Sequence, residues 1–190
     1  FNSGIELKLH GAGVKTIHYV SPSVWAWRQG RIKKIKKSVD LMLCLLPFET
    51  SFYQQHNVPV CFVGHPLAGQ FPKQPDTEGA RQKLGLNPQA PVLCLMPGSR
   101  SGEVELLAEL FLDVAEQVQK AIGAELQLVI PAANAARHQQ LSQILAGRPD
   151  INAQLLEQNS HLAMESADAV LLASGTTALE AMLLKKPMVV

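Results

Sequence analysis

Residues 92–103 carry the sequence VLCLMPGSRSGE, in which an apolar run ends at a proline–glycine pair and a small polar turn follows. The run Val92–Met96 is apolar on both faces, as is typical of a buried strand in a parallel sheet. A long helix is predicted over Gly102–Ile122, where apolar residues recur with helical spacing, and Gly123 is expected to end it. The stretch therefore predicts a strand–turn–helix unit of an α/β protein.

The same alternation of strands and helices extends in both directions along the chain. Before this stretch, strands are predicted at Val14–Val20, Leu41–Leu46 and Val60–Val63, with helices at Ala26–Val39 and Phe48–His56. After it, strands are predicted at Leu126–Ile130, Asn152–Leu156, Ala169–Ala173 and Met188–Val190, with helices at Asn134–Leu145, Asn159–Ser166 and Thr176–Leu184. Two such series predict two α/β lobes, each built on a parallel sheet.

A proline-rich segment separates the two series. Residues 66–90 contain four prolines and a short predicted helix at Thr77–Leu84. Proline stiffens and punctuates connections between structured elements. The predicted organisation is therefore a first lobe at residues 1–65, a linker at residues 66–90 and a second lobe at residues 91–190, with a cleft between the lobes.

Composition excludes several classes of protein. The 190 residues are 47% hydrophobic and 17% charged, which excludes a disordered or collagen-like chain. The apolar runs are shorter than the ~18 residues that a membrane span needs, and no signal peptide is visible, so a cytoplasmic location is expected. Cys44, Cys61 and Cys94 lack CxxC spacing and are interpreted as buried free thiols. No Walker A, GxGxxG or metal-ligand spacing occurs, and no cofactor or metal is expected.

Positive charge is concentrated near the start of the chain. Residues 1–40 hold eight basic and two acidic side chains, although the whole chain has a net charge of only +1 and no nucleic-acid partner is predicted. With Ile32 and Ile35, the basic residues form a predicted amphipathic helix beside both tryptophans. This pattern is compatible with an anionic membrane surface, and an ordinary solvated helix explains it equally well. The side chains predicted to face the membrane are Arg28, Arg31, Lys33, Lys34, Lys36 and Lys37.

Two strand-to-helix turns of the second lobe are candidate ligand sites, because ligands bind at the carboxyl ends of parallel strands. In the first turn Gly98 allows close approach of a ligand, while Arg100 and the helix N-terminus favour a phosphate. A serine of this turn, with Glu103 completing a capping box, is the structural alternative, and capping can coexist with phosphate binding. In the second turn the small residues 174–177 leave room for another anionic group. Glu180 is either an acceptor for ribose hydroxyls or a solvated glutamate.

The first lobe offers a third candidate site after its first strand. Ser21 is followed by Trp25, Trp27 and Arg28, and aromatic faces beside a guanidinium suit a sugar ring. Core packing is the alternative for at least one of the tryptophans. His65 ends the first lobe at the end of a strand, where a ligand role and a structural role are both open.

With these motifs the sequence resembles the lipid-A-disaccharide synthase family of bacterial glycosyltransferases. The matching stretches are YVSPSVWAWR at 19–28, LPFE at 46–49, VGHP at 63–66, LMPGSR at 95–100 with Glu103 and Val104, and LASGTTALE at 172–180. The resemblance implies a GT-B type of α/β fold with two Rossmann-like lobes and parallel sheets, both incomplete in this chain. It also implies that the nucleotide sugar is held mainly by the C-terminal lobe.

The resemblance further implies an inverting hexosyltransferase that acts without a metal. Such an enzyme moves 2,3-diacylglucosamine from its acylated UDP-glucosamine donor to an acylated glucosamine 1-phosphate, giving UDP and the β-1,6-linked disaccharide of lipid A in lipopolysaccharide. It would lie peripherally at the inner face of the bacterial inner membrane. Arg100 would stabilise the departing diphosphate. The residues assigned to the nucleotide sugar are Gly98, Ser99, Arg100, Glu103, Ser174, Gly175, Thr176, Thr177 and Glu180. Those assigned to the acceptor or cleft are Ser21, Trp25, Trp27, Arg28 and His65.

The sequence also departs from the family pattern. The family's acidic motif, which carries the suspected general base, precedes the residues that match Phe1–Asn2, and the family continues beyond the match to Val190. The chain is therefore expected to be an internal fragment that is inactive alone, since inverting transfer needs a base. The alternatives are a UDP-sugar epimerase or another GT-B transferase and, from a different class, a non-catalytic nucleotide-binding or membrane-docking module. Acyl chain length and oligomeric state, including a homodimer, stay open.

Overall fold

A computed structural model describes residues 2–122 and 125–190, so the predicted helix end at Gly123 lies outside the described residues. The chain divides into two compact units, Phe1–Gln70 and Phe71–Val190. The helices are α1 (Ser3–Gly11), α2 (Ile32–Ser38), α3 (Glu49–Gln55), α4 (Thr77–Leu84), α5 (Ser101–Ile122), α6 (Ala135–Ala146), α7 (Ser160–Ser166) and α8 (Thr176–Leu183). The strands are β1 (Ile17–Tyr19), β2 (Leu41–Cys44), β3 (Val60–Phe62), β4 (Val92–Met96), β5 (Gln127–Ala132), β6 (Ala153–Glu157), β7 (Ala169–Leu172) and β8 (Met188–Val189).

The first unit contains a parallel sheet in the order β1-β2-β3. Ile17 lies opposite Leu41, and Met42 lies opposite Val60. Helix α1 was not predicted, because the helix has no buried residue and its sequence shows no apolar stripe. Its last turn carries Lys8 and His10, which suits the negative end of the helix dipole.

Two predictions for the first unit need correction. The predicted helix Ala26–Val39 is interrupted, because Arg28 adopts a left-handed backbone with φ of 54°; a short 3₁₀ turn follows, and α2 begins at Ile32. Ile32 and Ile35 are buried in the core of the unit. The apolar face of α2 is therefore not available for insertion into a membrane. Cys61 is also exposed rather than buried, because β3 lies at the edge of the described sheet.

The second unit contains a parallel sheet in the order β6-β5-β4-β7-β8. From the central strand β4 the chain first continues to β5 and β6 on one side, and later returns to β7 and β8 on the other. Such a reversal opens a crevice at the carboxyl ends of the two strands where the order switches, here β4 and β7. Helix α5 packs on this sheet through a buried stripe made of Val104, Ala108, Phe111, Leu112 and Ala115.

Part of the predicted linker belongs to the second unit. Phe71, Leu84 and Leu86 pack against its core. The buried Arg81 donates from Nε to the carbonyl oxygen of Ser166 at 2.9 Å. The compact unit therefore begins at Phe71, ahead of the boundary predicted at residue 91, while the roles predicted for the two lobes stay predictions. Within the described residues, no helix combines the length and apolarity that a bilayer crossing requires.

Candidate functional site

A cavity of about 870 Å³ lies in the second unit at the carboxyl ends of β4, β5, β6 and β7. Its volume is in the range of sites for small organic ligands, about 300–1,000 Å³. Both turns singled out from the sequence open onto it, because β4 and β7 are neighbours in the sheet. The predicted nucleotide-sugar residues all line this cavity: Gly98, Ser99, Arg100, Glu103, Ser174, Gly175, Thr176, Thr177 and Glu180. Their role in binding stays a prediction.

The turn after β4 is held by one carboxylate. Glu103 Oε2 accepts hydrogen bonds from the backbone N–H groups of Ser99 at 3.0 Å and Arg100 at 3.1 Å. Glu103 Oε1 accepts from Arg100 Nη1 at 2.6 Å. The bonds to the backbone N–H groups of Arg100 and Ser99 hold the pKa of Glu103 below its ordinary value. The glutamate half of the predicted capping box is therefore present, with Glu103 bonded to the backbone that precedes α5.

Arg100 projects into solvent at the edge of this cavity. Its side chain is 83% exposed, and the hydrogen bond to Glu103 is charge-assisted. The guanidinium lies beside the N-terminus of the 22-residue helix α5, and its charge is balanced by Glu103 while the two side chains are paired. The helix N-terminus and the guanidinium are groups that can bind an anion once they are not bonded to Glu103.

The turn after β7 supplies small residues and a second carboxylate. Helix α8 begins at Thr176, directly after Gly175, so its first backbone N–H groups lie at the cavity. The Glu180 side chain is only 18% exposed, and its Oε2 atom lies 3.8 Å from Nε2 of His161. A half-buried carboxylate at a cavity wall can accept hydrogen bonds from paired hydroxyl groups.

Sequence reasoning missed a third turn, which follows β6. Gln158 and Asn159 both have left-handed backbones, with φ of 61° and 59°, and both line the cavity. Consecutive non-glycine residues in this region are strained, and such strain is frequent at functional sites. His161 follows, with its ring centroid 4.5 Å from that of Phe71. His161 lies in the first turn of the helix predicted at Asn159–Ser166, which follows a predicted strand, and that position was the available signal.

In the first unit, two of the predicted acceptor residues are bonded within the unit. The Ser21 hydroxyl shares a hydrogen bond of 2.9 Å with the hydroxyl of Tyr53, which is fully buried. Burial raises the pKa of Tyr53 to about 12. Trp25 donates from Nε1 to Glu49 Oε1 at 3.2 Å, and its ring packs edge-on against Phe48. These contacts fit the structural alternative stated for one tryptophan, while the acceptor role of Ser21 and Trp25 stays a prediction.

The remaining predicted residues of the first unit are more accessible. Trp27 is 63% exposed, and the Arg28 guanidinium lies 4.5 Å above its ring in a cation–π contact. His65 Nδ1 accepts a hydrogen bond from the backbone N–H of Leu67 at 3.2 Å and so caps a short 3₁₀ turn. The α2 side chains Lys33, Lys34, Lys36 and Lys37 are all exposed. Among residues 2–122 and 125–190, no cluster of three or more histidine, cysteine or acidic residues could hold a metal ion.

Comparison with known sequences gives one family. A family model described as lipid-A-disaccharide synthetase matches residues 1–190. The chain is 56% identical to the lipid-A-disaccharide synthase of Pseudomonas entomophila and 54% identical to those of Alcanivorax borkumensis and Pseudomonas aeruginosa, over its entire length in each case. It covers 50%, 49% and 50% of those three proteins, so the chain spans about half the length of the curated relatives it matches.

Comparison with solved structures agrees on the fold. Anabaena Alr3699/HepE in complex with UDP and glucose gives a TM-score of 0.53 at 15% identity, over 96% of this chain and 54% of that one. Sucrose-phosphate synthase from Thermosynechococcus elongatus gives a TM-score of 0.51 at 16% identity, over 92% of this chain and 49% of that one. These likenesses concern the fold alone, and they confirm the predicted α/β fold of GT-B type with parallel sheets.

Proposed function

The chain belongs to the lipid-A-disaccharide synthetase family, and on that premise we propose that its second unit binds the nucleotide-sugar donor of an inverting glycosyltransferase. The reaction moves 2,3-diacylglucosamine from its UDP donor to 2,3-diacylglucosamine 1-phosphate and yields UDP and a β-1,6-linked disaccharide. The observation that carries the proposal is the convergence of both predicted turns, with all their candidate residues, on one cavity of about 870 Å³.

In this reaction an acceptor hydroxyl oxygen attacks the anomeric carbon, the bond from that carbon to the diphosphate oxygen breaks, and a base takes the hydroxyl proton. Negative charge develops on the departing UDP. Arg100 and the N-terminus of α5 lie where they can stabilise that charge, so the proposed chemistry needs no metal. Glu180 would accept hydrogen bonds from the ribose, while Ser174, Gly175 and Thr176 would line the nucleotide site.

We also propose that the first unit meets an anionic membrane surface on the cytoplasmic side, since both substrates carry acyl chains. The supporting observations are the exposed lysines of α2 and the exposed ring of Trp27. Because Ile32 and Ile35 are buried, the contact of α2 itself is electrostatic and should weaken with salt. Arg28 and Arg31 extend the same basic segment.

Arg100→Ala in the complete protein tests the catalytic part of the proposal. It should lower kcat/KM by about 10²–10³-fold, or ~2.7–4 kcal/mol, the effect of removing one group that stabilises developing charge. Lys83→Ala is the matched control, because it removes one exposed positive charge of the same unit away from the cavity and should leave turnover unchanged. Disaccharide formation from the two acylated substrates is the measurement.

Three outcomes would contradict the proposal. Unchanged turnover in Arg100→Ala would favour a non-catalytic nucleotide-binding module. Equal use of plain and acylated UDP-glucosamine donors would favour another transferase or an epimerase of the same fold. Disaccharide formation by the 190-residue chain alone would contradict the assignment of the general base to residues outside this chain.

A further inference from the structure

We propose that Glu103 is an internal ligand of the phosphate-binding turn, which holds the place of a substrate phosphate in the free protein and is displaced when the diphosphate binds. The inference rests on the proposed function, because it requires that this cavity accepts a nucleoside diphosphate. It differs from the sequence prediction, in which capping by Glu103 and phosphate binding coexist.

The first argument is that Glu103 occupies the donors that a phosphate would use. The backbone N–H groups of Ser99 and Arg100 both point at a single oxygen, Glu103 Oε2, at 3.0 and 3.1 Å. The Arg100 guanidinium donates to the other oxygen at 2.6 Å. An incoming phosphate oxygen needs the same N–H directions, so it and the carboxylate cannot hold these donors together.

The second argument is steric and concerns Gly98. A Cβ atom at this position would lie 2.5 Å from Glu103 Cβ and 2.8 Å from Glu103 Oε2. The φ of Gly98 is also +127°, which disfavours any other residue. The missing side chain therefore makes room for Glu103 itself, whereas the sequence prediction assigned that space to a ligand. The turn is shaped around its internal carboxylate.

The third argument is that Glu103 is free to leave. Its side chain is 33% exposed and lies at the cavity, so rotation about its own bonds moves the carboxylate out without moving α5. The bonds to the turn hold its pKa low, so it is negatively charged at neutral pH and repels an approaching phosphate. An anion must outcompete a tethered carboxylate, which favours a diphosphate over a single phosphate.

The test is a calorimetric titration of UDP and UMP into the complete protein. Glu103→Gln should bind UDP about tenfold more tightly than the wild type, the effect of one charge-assisted hydrogen bond that no longer has to be broken. The preference for UDP over UMP should fall in the same variant. In Glu103→Asp the shorter side chain reaches the turn less well, so its affinity for UDP should lie between those of the wild type and Glu103→Gln. Glu105→Gln is the matched control, since it removes the same charge from an exposed position on α5 outside the cavity lining.

A purely structural cap would behave differently. Loss of the cap should lower the thermal stability of Glu103→Gln in either case, but only displacement predicts that affinity rises while stability falls. UDP affinity in Glu103→Gln equal to or weaker than that in Glu105→Gln would overturn the inference. If the wild type and every variant fail to bind UDP, the proposed function of the cavity fails and the inference falls with it.

Discussion

Glu49 in the first unit and Glu103 in the second bind backbone N–H groups in the same way, beside the carboxyl end of a strand. Glu49 Oε2 accepts from the N–H of Leu46 at 3.0 Å, and its Oε1 accepts from Trp25 Nε1 at 3.2 Å. In the second unit, Glu103 divides its oxygens in the same way between backbone N–H groups and one side chain, that of Arg100. Each glutamate ties a turn to the start of a helix.

The two glutamates differ in burial, and burial decides what each can do. Glu49 is 4% exposed and lies on the same helix as the fully buried Tyr53, so its carboxylate is enclosed by the packing of the first unit. The Glu103 side chain is 33% exposed and lines a cavity, so the N–H groups that it binds can bind another anion instead. The same hydrogen-bond pattern therefore stabilises packing in the first unit, and in the second unit it occupies donors that a ligand can take over.

The largest effect expected from this comparison is on stability, in Glu49→Ala. The substitution leaves the partly buried Trp25 Nε1 and Leu46 N–H groups without this acceptor, which should lower the free energy of unfolding of the first unit by about 2 kcal/mol. Both tryptophans of the chain lie in this unit, so tryptophan fluorescence during urea unfolding reports its stability selectively.

Two further substitutions, Glu49→Gln and Glu103→Ala, give losses in the free energy of unfolding with which this effect can be compared. Glu49→Gln keeps an oxygen for the Leu46 N–H and should lose less than Glu49→Ala. Glu103→Ala, followed by circular dichroism, should cost about 1 kcal/mol, as for the loss of an exposed cap. If Glu49→Ala costs no more than Glu103→Ala, burial does not separate the two glutamates and the comparison is broken.

Much of the second unit could be predicted from the sequence, because strands β4 and β7 are continuous apolar runs, each followed by a glycine-containing turn. The rule that ligands bind at the carboxyl ends of parallel strands then selected the turns at Gly98 and Gly175. Periodicity does not encode strand order, so the sequence could not show that the turn of Gln158 and Asn159, just before His161, joins them at the same cavity.

The first unit was harder to predict for physical reasons. Spacing placed Ser21 and Trp25 beside a strand end, but it could not show the hydrogen bonds that these residues form with Tyr53 and Glu49. The left-handed backbone of Arg28 leaves no clear trace in a sequence that otherwise looks helical. For Glu103, spacing permitted a cap and a ligand role together, and interatomic distances were needed to show which donors the cap occupies.

A smaller effect, on UDP affinity, is expected from His161→Ala, which extends the comparison to another wall of the cavity in the second unit. Removing a ring that lies beside Glu180 and packs on Phe71 should weaken UDP binding about fivefold, ~1 kcal/mol, as for loss of an aromatic contact with a nucleotide. His161→Phe keeps the ring and should retain most of the affinity. His138→Ala is the control away from the cavity, and an equal loss in this control, measured by calorimetry, would contradict the prediction.

The smallest effect concerns Asp40, a carboxylate of the first unit that lies at the amino end of β2, away from the strand ends that bind ligands. It accepts a hydrogen bond from the Thr16 N–H at 2.8 Å and pairs with Lys15 at 2.9 Å. The bond to the Thr16 N–H, followed by that to Lys15, lowers the pKa of Asp40 from 3.8 to about 2.

A lowered pKa in the folded state means that Asp40 stabilises the first unit above its ordinary pKa, and that this contribution is lost as the pH falls toward 2. Asp40→Asn should therefore be slightly less stable than the wild type at pH 7, and the difference should shrink between about pH 4 and pH 2. Urea unfolding followed by tryptophan fluorescence at several pH values measures it. A difference that does not change with pH would contradict the ionic origin. Calorimetry should give the same UDP affinity for Asp40→Asn as for the wild type, since a carboxylate bonded to backbone N–H groups acts on a ligand only where a cavity exposes those groups.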